Sequence, residues 1–110
     1  MIKFDEQKQL DSVAGALAIR KEIEGIAADV AGRGYKNICY LGIGGTYASA
    51  LQTQNHVQEY SGMEIIAQNA ALYNTTGNRR IGKDTVIVLS SVTGTTQEVV
   101  AAVEKAKAQG

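Results

Sequence analysis

Tyr40-Leu41-Gly42-Ile43-Gly44-Gly45-Thr46-Tyr47-Ala48 is one of two matched stretches that decide the fold; the other is Leu89-Ser90-Ser91-Val92-Thr93-Gly94-Thr95-Thr96-Gln97-Glu98. Each begins in an apolar run of strand character, passes through small residues and enters a helix-like segment. Each therefore delivers backbone N–H groups and hydroxyls to a helix N-terminus. The first-turn N–H groups of a helix have no intrahelical partner and lie at the positive end of its dipole, so an anion is favoured there. The expectation is that the two loops together hold one phosphate-bearing ligand.

Outward from the first loop, Asn37 to Leu41 reads as a short strand that is apolar on both faces, as in a central parallel strand covered by helices. Thr46 to Tyr60 reads as a helix, with Tyr47, Ala50, Leu51 and Val57 on its buried side. Glu64 to Ala67 reads as a second strand, and Ala70 to Tyr73 as a short helical turn. Thr75 to Arg80 is loop-like, and Thr85-Val86-Ile87-Val88-Leu89 is the clearest strand in the chain. Thr96 to Gln109 closes the order as a helix, with Val99, Val100 and Val103 inside. Before the first strand, Leu10, Val13, Leu17, Ile23, Ile26 and Val30 predict one long helix from Glu6 to about Ala31, capped at Asp5 or Asp11, weakened at Gly15 and Gly25, and stopped by Gly32 and Gly34. Strands alternating with helices imply a parallel α/β sheet with right-handed crossovers.

With 110 residues the chain makes one small domain. Eleven basic residues balance eleven acidic ones, and no Lys/Arg-rich run is present. That argues against nucleic acid or a membrane surface as partner. Aromatic residues make up 5%, too few for a single-strand stacking platform. There is no signal segment and no long apolar span, so a cytoplasmic protein is expected. Cys39 is the sole cysteine and sits in an apolar run, where it reads as a buried small hydrophobe rather than a reactive thiol. One histidine and one cysteine do not make a zinc site, so no metal is expected.

Gly42-Ile43-Gly44-Gly45 after a strand suggests a dinucleotide fold, but two requirements fail. Tyr47 stands where the fingerprint needs its third glycine. The next strand ends in Ala67-Gln68-Asn69, without the acidic residue that holds the ribose. A tight strand-to-helix turn would by itself explain these glycines. The second loop shifts the balance: Ser90, Ser91, Thr93, Thr95 and Thr96 surround Gly94, and a helix cap uses only one or two such hydroxyls. Both loops lie at the carboxyl ends of strands, where open parallel sheets bind ligands.

Gly44-Gly45-Thr46 followed by Ala48, with Ser91-x-Thr93-Gly94-x-Thr96-x-Glu98 later, resembles the SIS (sugar isomerase) domain family. The likeness runs from about Asn37 to Ala108, and Asn69-Ala70 fits the family's turn after its second strand. Thr46 and Thr93 stand where serine is commoner, and the hydroxyl is kept. The resemblance implies phosphosugar binding. By position, Ser91, Thr93 and Thr96 would hold the phosphate, while Thr46 and the backbone of Gly44 and Gly45 contact sugar or phosphate. It also implies a parent activity in an aldose–ketose isomerase or a fructosamine-6-phosphate deglycase, or in the isomerase half of glucosamine-6-phosphate synthase. A non-catalytic, phosphosugar-sensing module is the alternative. Neither activity needs a metal or redox cofactor.

The family's sheet has five strands in the order 2-1-3-4-5, and this sequence supplies three. The expected fold is thus a flavodoxin-like half: a three-layer α/β sandwich with parallel strand order 2-1-3, residues 1–110 forming one half-domain with 1–34 as a leading helix. Completion would come from dimerisation or from later sequence. The catalytic members' glutamate and histidine have no counterpart here, so no catalytic residue is assigned. Glu98 reads as structural or capping, and His56 as solvent- or partner-facing. Arg79 and Arg80 have the reach for a phosphate but read more simply as a solvated turn. Strand order 2-1-3 leaves Thr85–Leu89 at a sheet edge, which invites pairing into a homo-oligomer.

Overall fold

The computed structural model describes residues 3–110. The chain divides into two compact units, Met1–Gly34 and Tyr35–Gly110. In the first, helix α1 (Glu6–Ala18) is capped by Asp5, whose side chain accepts from the Lys8 N–H. Helix α2 (Arg20–Arg33) ends at Gly34, which adopts φ +78°. The single long helix expected here is two, divided at Ile19 rather than at Gly15 or Gly25, both of which stay inside helices. No residue of either helix is buried.

The second unit is built on strands β1 (Asn37–Gly42), β2 (Ile65–Asn69) and β3 (Thr85–Leu89), all parallel, in the order β2-β1-β3. Helix α3 (Gly45–Tyr60) packs on β1 and β2, burying Ala50. Helices α4 (Ala70–Thr76) and α5 (Gln97–Ala108) pack on each other. Register puts Cys39 beside Ile66 and Ile87 on one face, and these join Leu41, Ala70, Tyr73, Ile81, Val99 and Ala102 in the core. Ile38 and Ile65 alternate to the other face, as period-two geometry requires. The result is an open three-layer α/β arrangement with the expected strand order.

Leu41 and Tyr73 are fully buried, each worth roughly 1.5–3 kcal/mol of apolar transfer. Two expected core positions are not: Leu51 and Val100 are exposed. On α5, Val99, expected inside, and Ala102 are buried, and Val103, also expected inside, and Ala106 are half-buried, the i, i+3, i+4, i+7 set of one helix face.

The N-terminal ends of β1 and β3 are tied through buried Asn37. Its Nδ2 donates to the Arg80 carbonyl at 3.0 Å, and Thr85 Oγ1 donates to its Oδ1 at 2.7 Å. A buried amide satisfied on both sides fixes the position of the strands. Arg80 also pairs with Glu64 at this end of the sheet, opposite the two glycine- and hydroxyl-rich loops.

Candidate functional site

The β1–α3 loop turns within three residues. Gly42 ends the strand where a Cβ would meet the Thr46 carbonyl carbon and the Tyr47 nitrogen, each at 2.6 Å, so only hydrogen fits. Gly44 follows with φ +58° and ψ −126°, a conformation open to glycine. Thr46 then locks the turn: its Oγ1 accepts from the Ile43 N–H and donates to the Ile43 carbonyl, both at 3.0 Å.

The β3–α5 loop holds its own backbone in a similar way. Ser91 Oγ accepts from the Gly94 N–H at 2.9 Å, and Thr93 Oγ1 accepts from the Thr95 N–H at 3.2 Å. Gly94 adopts φ +71°. The two loops are bridged by a contact of 3.2 Å between Tyr40 Oη, on β1, and Ser90 Oγ, beyond β3.

Between the loops lies a cleft of about 300 Å³ at the carboxyl ends of β1 and β3. Gly45, Thr46, Ser91, Thr93 and Thr96 line it. Gly44 is not among the lining residues; it forms the turn that aims the next N–H groups. Ser90 adds a hydroxyl, and Ile43, Val92 and Val99 supply apolar walls. In the sequence, Val99 reads as an inside position of the last helix, whereas Val92, almost fully exposed in the structure, stands within the loop itself. Gly42 carried a signal, a glycine closing a strand four residues before a hydroxyl, but its close approach to Thr46 is visible only in three dimensions.

Helices α3 and α5 begin at this cleft, and neither N-cap, Gly44 or Thr96, makes a side-chain capping bond. Within the same unit, α4 is capped by the Asn69 side chain; in the first unit, α1 is capped by Asp5, and α2 has no side-chain cap. Two helix N-termini thus open on one cleft with four threonine and serine side chains from the expected set; on α5 the Val99 N–H already bonds the Thr96 carbonyl, so the donors in question there are those of Gln97 and Glu98. None of the lining side chains carries charge, so the attraction this cleft offers an anion is that of helix dipoles and N–H groups.

The titratable groups singled out in the sequence lie elsewhere. His56 is exposed on α3, its ring tilted 53° against that of Tyr60 with centroids 4.9 Å apart. Glu98 stands in the first turn of α5, its carbonyl accepting from Asn74 Nδ2, and is not in the lining. Burial alone pushes the Cys39 thiol up to about 12, which keeps it protonated. Burial, then the neighbouring Cys39, also raises the Tyr73 phenol, whose hydroxyl donates to Gln109 Oε1. No group of three or more potential metal ligands occurs among the described residues. Nor is any described helix long and apolar enough to cross a membrane.

No curated protein matches the chain. Residues 33–110, well over half of it and spanning both loops, match the family profile described as SIS domain. The strand order, the paired loops and that match together place the chain in the SIS domain family, a family of phosphosugar-binding domains.

Proposed function

We propose that the cleft binds the phosphate of a sugar phosphate through Ser91, Thr93, Thr96 and the N–H groups at the starts of α3 and α5, with Thr46 and the Gly44–Gly45 backbone shaping the loop around it. The observation that carries this reading is the convergence of two helix N-termini, both without side-chain caps, on one hydroxyl-lined cleft. The ligand class favoured is an amino-sugar or fructosamine 6-phosphate, and the parent chemistry an aldose–ketose isomerisation or a deglycation in the cytoplasm. Proton transfer between adjacent carbons needs an acid and a base. The cleft lining has neither, which favours a second reading for these residues alone: a binding or sensing module. We also propose that the chain forms a homo-oligomer.

Thr96 is the cleanest residue for a test, since its hydroxyl makes no capping bond. Thr96→Ala should leave the melting temperature nearly unchanged and weaken sugar-phosphate binding by about 1.5–3 kcal/mol, the worth of a charge-assisted hydrogen bond. Calorimetric titration with glucosamine 6-phosphate reads both the affinity and, against glucosamine, the phosphate's share. Equal affinity of wild type and variant would remove Thr96 from the site.

A further inference from the structure

A hydroxyl carries one proton and two lone pairs, and in the β3–α5 loop the lone pairs are engaged first. Ser91 Oγ accepts from the Gly94 N–H at 2.9 Å, and Thr93 Oγ1 accepts from the Thr95 N–H at 3.2 Å and from the Thr95 hydroxyl at 3.1 Å. Among the described residues, neither the Ser91 nor the Thr93 proton has a protein acceptor. Thr46 differs, because its proton already goes to the Ile43 carbonyl. Ser90 lines the same cleft, and its partner is Tyr40 Oη at 3.2 Å, a contact in which either oxygen can be the donor. Tyr40 pairs with Val88 across the ladder, and Ser90 comes two residues later, so the strand period returns its side chain to Tyr40's face of the sheet.

We propose that Tyr40 donates to Ser90, and that Ser90 turns its own proton into the cleft as a further contact to the ligand's phosphate. This rests on the phosphate-binding reading above and adds to it a binding residue, Ser90, and a positioning residue, Tyr40. The anion decides the direction of the bond. With Ser90 as donor, its lone pairs would face the phosphate oxygens and repel them. With Tyr40 as donor, Ser90 offers the cleft a proton on the pattern of Ser91 and Thr93. The two hydrogen bonds then run in series, and each polarises the other. Tyr40 stands half-buried on the central strand of the sheet, so the group that orients Ser90 is held by β1 rather than by a loop.

Titration calorimetry with inorganic phosphate and with glucosamine 6-phosphate measures the contact, and melting temperatures check that each variant keeps the fold. Ser90→Ala should weaken both ligands about tenfold or more, as loss of a hydrogen bond to a charged group does. Tyr40→Phe keeps the ring and leaves Ser90 its proton without its direction. It should weaken them less, by about threefold, near the low end for a neutral hydrogen bond. With Ser90 already alanine, Tyr40→Phe should change nothing further. A bond that merely ties the loops together predicts equal losses in the two single variants. NMR of the carbon that bears the Tyr40 hydroxyl supplies a second reading. Its signal should move when inorganic phosphate saturates the wild type and stay in place when phosphate saturates Ser90→Ala. A folded wild type that binds neither ligand overturns the phosphate reading and these roles with it. A wild type that binds, with Ser90→Ala unchanged, with equal losses in both variants or with a Tyr40 signal unmoved by phosphate, overturns the roles of Ser90 and Tyr40 alone.

Discussion

At the residue scale, the sharpest constraint is Gly42. A methyl group there would overlap the backbone of Thr46 and Tyr47 at 2.6 Å, and backbone atoms have no rotamer with which to give way. Gly42→Ala should destabilise the second unit by several kcal/mol, in the range of severe overpacking, and thermal melts would show it. A variant as stable as wild type would mean the β1–α3 turn is looser than drawn. Cys39 makes a second test. With its thiol pushed up to about 12 from 9.0, the folded protein holds a proton that the unfolded chain loses above pH 9. Its contribution to stability is intact below that value and declines as pH rises toward 12. Disulfide-exchange reagents at pH 8 should leave folded protein unlabelled and modify it on denaturation; fast labelling of native protein would contradict the burial. Cys39 and Gly42 were legible in the sequence to different degrees. An apolar run announces a buried cysteine, but nothing local announces that a glycine's hydrogen faces a backbone four residues away.

At the element scale, strands and helices of the second unit fall within a few residues of where periodicity and turn chemistry put them. β3 coincides at both ends, because five β-branched or apolar residues between Asp84 and Ser90 admit no other reading. The turn expected after β2 extends to a helix of seven residues, Ala70–Thr76. Asn69 caps it by accepting from the Leu72 N–H at 3.1 Å. From α5, Lys105 Nζ donates to the carbonyls of Tyr73 and Asn74 near its far end. That lysine is remote in sequence, which is why local reasoning stopped the element short. Asn69→Ala should cost about 1 kcal/mol in denaturant titration, as losses of N-caps do, without altering ligand affinity. A concurrent loss of affinity would show that α4 helps shape the cleft. The break at Ile19 was not legible: no glycine, proline or cap marks it, and the structure offers no physical account of it.

At the scale of the whole molecule, the buried core lies entirely between residues 37 and 102, within the second unit. Helices α1 and α2, of 13 and 14 residues, bury nothing, and isolated helices of that length are marginal in water. A fragment of residues 35–110 should therefore melt cooperatively, and a peptide of residues 1–34 should be largely unfolded by circular dichroism. An unfolded 35–110 fragment would show that the helical unit is required for the core. The candidate site was legible because its signal is duplicated: either loop alone is an ordinary strand-to-helix turn, and only the pair points to a ligand. The apolar walls Ile43 and Val99 were not legible, since a cleft and a core use the same residue types. The account rests on the two loops acting as one site. An amide NMR titration with glucosamine 6-phosphate, fructose 6-phosphate and inorganic phosphate tests this most directly. Saturable shifts confined to Gly44–Tyr47 and Ser91–Thr96, moving together with one dissociation constant, are the predicted result. Shifts in one loop only, or none in a folded sample, would contradict it.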